Sequence, residues 1–203
     1  MLTADDRRKL EEYISSIIAS LSENAMDDIN ANFSKKVIVE QTVERTVNKF
    51  APESKMLLNS VCNMLEKNTF RKDIYQRNDV RADYYSMDIR SEFAKKFNFE
   101  VPKETSYKES EEILKKLAVS GAVVIVGGVV SIAVKSFIPV SIAVILAGVM
   151  ALVLRNAQGT GESIANIVNA YLDNVKQTLL AWIDSIEQFY DEKVTTFEER
   201  YNG

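Results

Sequence analysis

The residues best suited to bind a metal ion are four aspartates in the middle of the chain, Asp73, Asp79, Asp83 and Asp88. Asp79 and Asp83 are four positions apart, so on a helix their carboxylates would lie one turn apart on one face. Carboxylate oxygens are the ligands of calcium and magnesium. Three arginines alternate with these aspartates, however, at positions Arg77, Arg81 and Arg90. Surface ion pairs therefore explain the pattern better, and no metal site is predicted.

The other residue types that carry catalysis are scarce. The chain has no histidine, which removes the commonest general base and the Ser-His and Cys-His nucleophile systems. Its one cysteine, Cys62, has apolar neighbours and is expected to be a buried structural thiol. Gly159 and Gly161 lack the spacing and the lysine of a phosphate-binding loop. No catalytic residue and no cofactor is predicted, and the protein is not expected to be an enzyme.

The charge balance bears on possible partners. Lys and Arg number 25 against 29 Asp and Glu, a net charge of −4. Nucleic acid binds mainly through phosphate contacts with basic side chains, so no nucleic-acid partner is expected. Residues 156–203 carry three basic and eight acidic side chains. This tail is therefore a poor candidate for lying on anionic lipid.

Stripes of apolar residues indicate an all-α fold, a helical bundle. All seven glycines lie at or beyond Gly121, and a glycine-free stretch of this length favours helices over tight hairpins. The first helix is expected to begin after Thr3, which can cap it. A second is predicted to stop at Pro52, which would begin a third because proline suits a first turn. Val37–Val39 could instead form an extended link.

The predicted N-terminal helical body covers residues 1–100. Ile89, Phe93 and Phe97 step by four and indicate a helix near its end. The chain then breaks at residues 98–103 around Pro102. Ser106 and Glu109 have the spacing of a capping box, and the helix they begin is expected to run without interruption into the next segment, 104–155.

Two uncharged 18-residue runs, residues 117–134 and 137–154, dominate that segment. As helices each would be about 27 Å long, close to the roughly 30 Å of a bilayer hydrocarbon core. Neither run has a polar face, so each must be buried by protein or by lipid. The runs predict an apolar helical hairpin with Lys135 at its tip. A core hairpin in a soluble bundle and a pair of buried strands are the alternatives.

Small residues are dense in this hairpin and would let two helices approach closely in lipid. The residues assigned to the membrane hairpin are Leu117, Gly121, Gly127, Gly128, Lys135, Pro139, Ala143, Ala147, Gly148, Ala151 and Leu154. Three basic residues at its ends are assigned as interfacial anchors whose stems can reach the headgroups: Lys115, Lys116 and Arg155.

After a glycine-containing hinge at residues 156–161, one long amphipathic helix is predicted from Ser163 onward. Its apolar stripe recurs every 3.7 residues on average, close to the period of a straight helix. The stripe consists of Ile164, Val168, Tyr171, Val175, Leu179, Trp182, Ile186, Tyr190, Val194, Phe197 and Tyr201. This third segment, 156–203, is expected to pack along the N-terminal helices, with Trp182 in the core.

A helical body, a central apolar hairpin and a long amphipathic helix together resemble the α-helical pore-forming proteins. The run LAVSGAVVIVGGVVSIAVKSFIPVSIAVILAGVMALVL is similar in kind to the hydrophobic hairpins of the colicin-type and two-component enterotoxin-type pore formers. Colicin-type domains carry their hairpin nearer the C-terminus than this chain does. The resemblance implies a hairpin that is sequestered in a bundle and released into a target bilayer.

The function expected from the sequence is non-enzymatic insertion of the hairpin into a membrane, and pore formation is the further step that the resemblance implies. The expected partners are a lipid bilayer and either further copies of the chain or a helical protein. A membrane-associated location is predicted, or a soluble form that becomes membrane-associated. Both termini are expected in the cytoplasm if the hairpin is integral, because basic residues favour that side. The alternative is a soluble or membrane-anchored scaffold that acts through its C-terminal helix.

Overall fold

A computed structural model describes residues 1–97, 107–126, 129–133, 141–157 and 162–201. Of these residues 82% are helical, which confirms the prediction of a mainly helical chain. The helices are α1 (Ala4–Asn30), α2 (Lys35–Thr69), α3 (Asn78–Ser86), α4 (Ile89–Lys96), α5 (Tyr107–Val119), α6 (Ile142–Ala157) and α7 (Ile164–Glu198). A short 3-10 helix spans Asp73–Gln76, and two strands are β1 (Val123–Val126) and β2 (Val129–Ile132).

Helix α1 begins where its sequence places the cap. The Asp6 backbone N–H donates to Thr3 Oγ1 at 3.1 Å, and the Thr3 N–H donates back to Asp6 Oδ2 at 3.0 Å. This reciprocal pair is a capping box, which satisfies two backbone donors at the helix start. The predicted stripe of α1 is buried at Leu10, Ile14, Ile17, Leu21 and Ala25.

Helix α2 differs from its prediction because it runs through Pro52 without a break. The predicted helix boundary at Pro52 is therefore wrong. Proline removes one backbone hydrogen bond and crowds the preceding turn, but Phe50 and Leu57, on either side of it, are both fully buried. Packing on both sides outweighs the local preference. Residues 37–39 form the first turn of α2 after the Ser34 cap, so no extended link occurs there.

Helices α3 and α4 cover one end of the bundle with aromatic side chains. The helix predicted from Ile89, Phe93 and Phe97 is confirmed as α4. The Tyr84 and Tyr190 hydroxyls lie 2.9 Å apart, and Tyr190 donates to Thr69 Oγ1 at 2.9 Å, which joins α2, α3 and α7 through buried hydroxyls.

The aspartates of this region have protein partners. Arg77 Nη2 lies 2.6 Å from Asp79 Oδ2, which confirms the predicted surface ion pair at that position. Asp83 accepts a hydrogen bond from the Tyr201 hydroxyl. Among the described residues there is no group of three or more acidic, histidine or cysteine side chains that could hold a metal ion.

Helix α7 confirms the predicted long C-terminal helix, from the Ser163 cap onward. Most of its stripe is buried, Trp182 included. It packs against α1, α2, α4, α6 and β2.

Ion pairs join α7 to elements that precede the apolar segment. Four link it to α1, α4 and the turn after α2: Lys176–Glu11 at 3.1 Å, Arg7–Asp184 at 2.6 Å, Lys193–Glu92 at 2.6 Å and Lys72–Glu198 at 2.7 Å. In addition, the buried Glu187 carboxylate accepts the Leu2 backbone N–H at 2.7 Å and pairs with Arg7. The charged contacts of α7 thus hold it to the N-terminal body.

Candidate membrane-interacting segment

The first apolar run does not form the predicted helix. Helix α5 ends at Val119, and the described residues that follow form an antiparallel hairpin of β1 and β2. The predicted uninterrupted helix is therefore wrong at residues 123–126 and 129–132, where strands occur instead. The composition explains this outcome, because β-branched Val and Ile fit a strand better than a helix. The second run does form a helix, α6, from Ile142 onward.

Gly121 ends α5 and turns the chain into β1. Its φ is +74°, in the left-handed region. The Ala122 N–H donates to Leu117 O at 2.9 Å, and the Gly121 N–H donates to Ala118 O at 3.1 Å. These two bonds form a Schellman motif, in which glycine is favoured because a Cβ is strained at positive φ. Gly121 was predicted as a small packing residue, whereas its role here is in the backbone.

Replacing Gly121 with alanine is expected to lower the free energy of unfolding by about 1 kcal/mol, because an L-residue at this φ is strained. A Cβ at this position would meet nothing within 4 Å, so the loss comes from the backbone alone. For a chain of this size Tm should fall by about 2–4 °C in thermal circular dichroism. Gly121→Asn is the control and should lose less, since asparagine tolerates this conformation. Equal losses in the two variants would contradict the assignment.

The inner face of the hairpin is packed against the helices. Val123 pairs with Ile132, and Ile125 pairs with Val130, so these four side chains share one face of the sheet. Val123, Val130 and Ile132 are buried, and β2 lies against α7.

A single hydrogen bond joins β2 to α7. Antiparallel pairing leaves the Val130 N–H pointing away from β1, and it donates to Thr178 Oγ1 on α7 at 3.2 Å. Both residues are buried. The edge of β2 is thus anchored to α7 by a neutral side chain.

On the outer face of the hairpin, the two β1 side chains are apolar and face solvent, while β2 contributes Val129 and Ser131. Val124 is 53% exposed and Val126 is 71% exposed, and Val119 at the end of α5 is 91% exposed. A water-facing side of an antiparallel sheet ordinarily carries polar residues. We call these three residues the outer valine surface. None of the described residues from 117 to 133 carries a charge.

Helix α6 is enclosed on every side. All residues from Ile142 to Val153 are buried, and the helix contacts α2, α5, α7 and β2. It has 16 residues. Across the described part of the chain, no helix combines the length and the hydropathy needed to cross a membrane.

The small residues of α6 allow close helix packing, with α5 as the partner. A Cβ built on Gly148 would lie 3.0 Å from Leu114 Cδ2 and 3.3 Å from the Ser110 carbonyl oxygen. The α5 backbone therefore approaches α6 at Gly148 more closely than an ordinary side chain permits. The alanine ridge of the same helix is buried as well: Ala143, Ala147 and Ala151.

The remaining predicted site residues are divided between surface and interior. Lys115, Lys116 and Arg155 are exposed, and Lys115 Nζ lies 2.6 Å from Glu111 Oε1. Leu117 and Leu154 are partly buried against the core. The other four predicted positions lie outside the described residues: Gly127, Gly128, Lys135 and Pro139.

A second α7 side chain reaches the apolar segment through α6. The Tyr171 hydroxyl donates to the Leu146 carbonyl oxygen at 3.2 Å, and both residues are buried. Burial raises the pKa of Tyr171, and the nearby Thr46 hydroxyl opposes this rise only in part. The phenol thus keeps its proton at neutral pH and acts as the donor.

The arrangement buries most of the described part of a large apolar segment, and sequence reasoning missed three parts of it. The outer valine surface depends on strand register, for which a run without polar residues gives no signal. Tyr171 was predicted only as part of a core stripe, and Thr178 was not singled out. Comparison of the chain with protein-family models, curated protein sequences and solved structures finds no match.

Proposed function

We propose that this protein binds a lipid bilayer through the outer valine surface and then inserts the apolar segment 117–154. The observation that carries the proposal is the solvent exposure of Val119, Val124 and Val126, which belong to two elements in contact with each other, α5 and β1. Full burial of a valine side chain is worth about 1.5 kcal/mol or more. Contact with the acyl region of a bilayer removes this surface from water, so lipid is a favourable partner.

The enclosed α6 supports the second step. A helix that is apolar on all faces is stable either inside a protein or in lipid. The α6 residues from Ile142 to Leu154 are all uncharged, so their transfer to hydrocarbon requires no charge to be desolvated. In the present conformation α6 is covered by protein, and insertion therefore requires that α6 separate from its neighbours.

Pore formation and self-association belong to the same proposal as its later steps. The segment is short for one chain to enclose a channel, so a pore would require several copies, each contributing residues 117–154. Arg155 and the pair Lys115 and Lys116 would then lie at the headgroups, where snorkelling stabilises the ends of a membrane segment.

Vesicle flotation tests the first step. Changing Val124 and Val126 together to threonine keeps the β-branched shape but removes apolar surface, and binding to phosphatidylcholine vesicles should fall about tenfold or more. The matched controls are Phe33→Ser and Met56→Thr, which remove exposed apolar side chains elsewhere on the molecule. These controls should bind as the unaltered chain does.

Release of an entrapped dye from the same vesicles tests insertion. Dye release by the unaltered chain that is lost in the double threonine variant supports the proposal. A chain that stays monomeric and never floats with vesicles would exclude it. Equal loss of binding in the Phe33 and Met56 controls would instead indicate general adhesion through any exposed apolar residue.

A further inference from the structure

We propose that Tyr171 and Thr178 form a clamp on α7 that holds the apolar segment in its protein-bound state. This inference rests on the proposed membrane function, because it identifies what restrains that function in the absence of lipid. The two residues are seven positions apart, about two helical turns, and therefore lie on the same face of α7.

Each clamp residue contacts the backbone of a different part of the segment. Thr178 accepts the Val130 N–H of the hairpin at 3.2 Å. Tyr171 donates to the Leu146 carbonyl oxygen of α6 at 3.2 Å. All four residues are buried, so these bonds are shielded from water. One face of α7 thus binds both the strand part and the helical part of the segment.

The polar contacts that α7 makes with the N-terminal body differ in charge from those that it makes with the apolar segment. Toward the N-terminal body they include charged pairs such as Arg7–Asp184 and Lys72–Glu198. Toward the apolar segment, the hydrogen bonds in the described part of the chain are the two neutral ones from Tyr171 and Thr178. A hydrogen bond to a neutral group is weaker than one to a charged group. When the segment leaves, α7 can therefore remain on the body.

Loss of the clamp favours the released state. Removal of the Thr178 hydroxyl leaves the buried Val130 N–H without an acceptor in the bound state. After release, water or a backbone carbonyl of the rearranged segment can accept this hydrogen bond. A single hydrogen bond changes such an equilibrium by about fivefold, so two bonds change it by about thirtyfold.

The test compares Tyr171→Phe, Thr178→Val and the double variant with the unaltered chain. The control is Tyr190→Phe, because Tyr190 is another buried α7 hydroxyl, but it bonds to Thr69 and Tyr84 and not to the apolar segment. The first readout is hydrogen exchange of the amides of β2 and α6 without lipid. The second is dye release from phosphatidylcholine vesicles.

We expect exchange in β2 and α6 to accelerate about fivefold in the single variants and about thirtyfold in the double variant. Dye release should accelerate in the same order, while α1 amides stay protected. Tyr190→Phe should alter neither readout for the segment. Unchanged exchange in the double variant, or equal acceleration in α1, would overturn the clamp. If exchange responds but no variant binds vesicles, the clamp stands and the proposed membrane function fails.

Discussion

Raising the pH above about 10 is expected to unfold the protein cooperatively, because four tyrosines are buried with their hydroxyls protonated. Burial is the main cause that raises the pKa of each, to about 12 for Tyr190 and higher for Tyr75, Tyr84 and Tyr171. An unfolded tyrosine ionises near pH 10. Between these two values the folded chain must hold protons that the unfolded chain releases.

The direction in which stability changes with pH follows from proton linkage. Since the folded state binds more protons above pH 10, its stability falls as the pH rises, and below pH 10 the contribution is fully present. Each such tyrosine contributes at most about 1.4 kcal/mol per pH unit, so the four together contribute at most about 5.5 kcal/mol per unit. This exceeds a third of the stability of a typical domain, and unfolding should be complete within about two pH units.

Parallel titrations of tyrosinate absorbance and helical circular dichroism measure the effect. The absorbance of the four buried tyrosines should appear only as the helix signal is lost. Tyr75→Phe is the matched variant, because the Tyr75 hydroxyl is buried and makes no hydrogen bond of ordinary geometry in the described structure, although the nearby Glu198 carboxylate contributes to raising its pKa. It should be neutral at pH 7 and reduce the alkaline slope by about a quarter. Full tyrosine ionisation with the helix signal intact would show that these hydroxyls reach solvent.

Changing Gly148 to valine is expected to lower the free energy of unfolding by about 3 kcal/mol, the upper part of the range for overpacking. The two γ-carbons of valine extend beyond a Cβ that already lies 3.0 Å from Leu114 and 3.3 Å from the Ser110 carbonyl oxygen. The Leu114 side chain can move, but the Ser110 backbone belongs to α5 and cannot yield without shifting that helix.

Gly148→Ala provides the graded comparison. Alanine gains up to about 1 kcal/mol in helix stability over glycine, which offsets the tight contact of its Cβ, so this variant should remain close to the unaltered chain. For Gly148→Val, Tm should fall by roughly 6–12 °C in thermal circular dichroism. Similar Tm values for the two variants would mean that α5 does not approach α6 as described.

Helices with one apolar stripe could be predicted from the sequence. The apolar stripe of α7 predicts nearly every residue of the buried face of that helix, and Ser163 marks where the helix begins. For α1 likewise, Thr3 marks the beginning of the helix, and the apolar stripe from Leu10 to Ala25 predicts its buried face. In both cases the period of 3.6 residues, the cap and the buried face agree, so local and tertiary preferences select one structure.

The first apolar run could not be predicted because it has no polar side to set a period. Helix and strand both bury such a run, and only the density of valine and isoleucine favours the strand. The outer valine surface was hidden for the same reason, since a shift of one residue in register would turn Val124 and Val126 inward. The helix boundary predicted at Pro52 does not occur because α2 is packed on both sides of this residue.

The position of α7 in the chain has a consequence during synthesis. Residues 117–154 leave the ribosome before α7, the helix that covers β2 and one side of α6. At a typical elongation rate of about 5–20 residues per second, the 44 residues up to Glu198 take roughly 2–9 seconds to make. Throughout this interval the most hydrophobic part of the nascent chain lacks its cover. The apolar surface that α7 covers in the folded chain is therefore accessible to other binding partners of the nascent chain until α7 has been made.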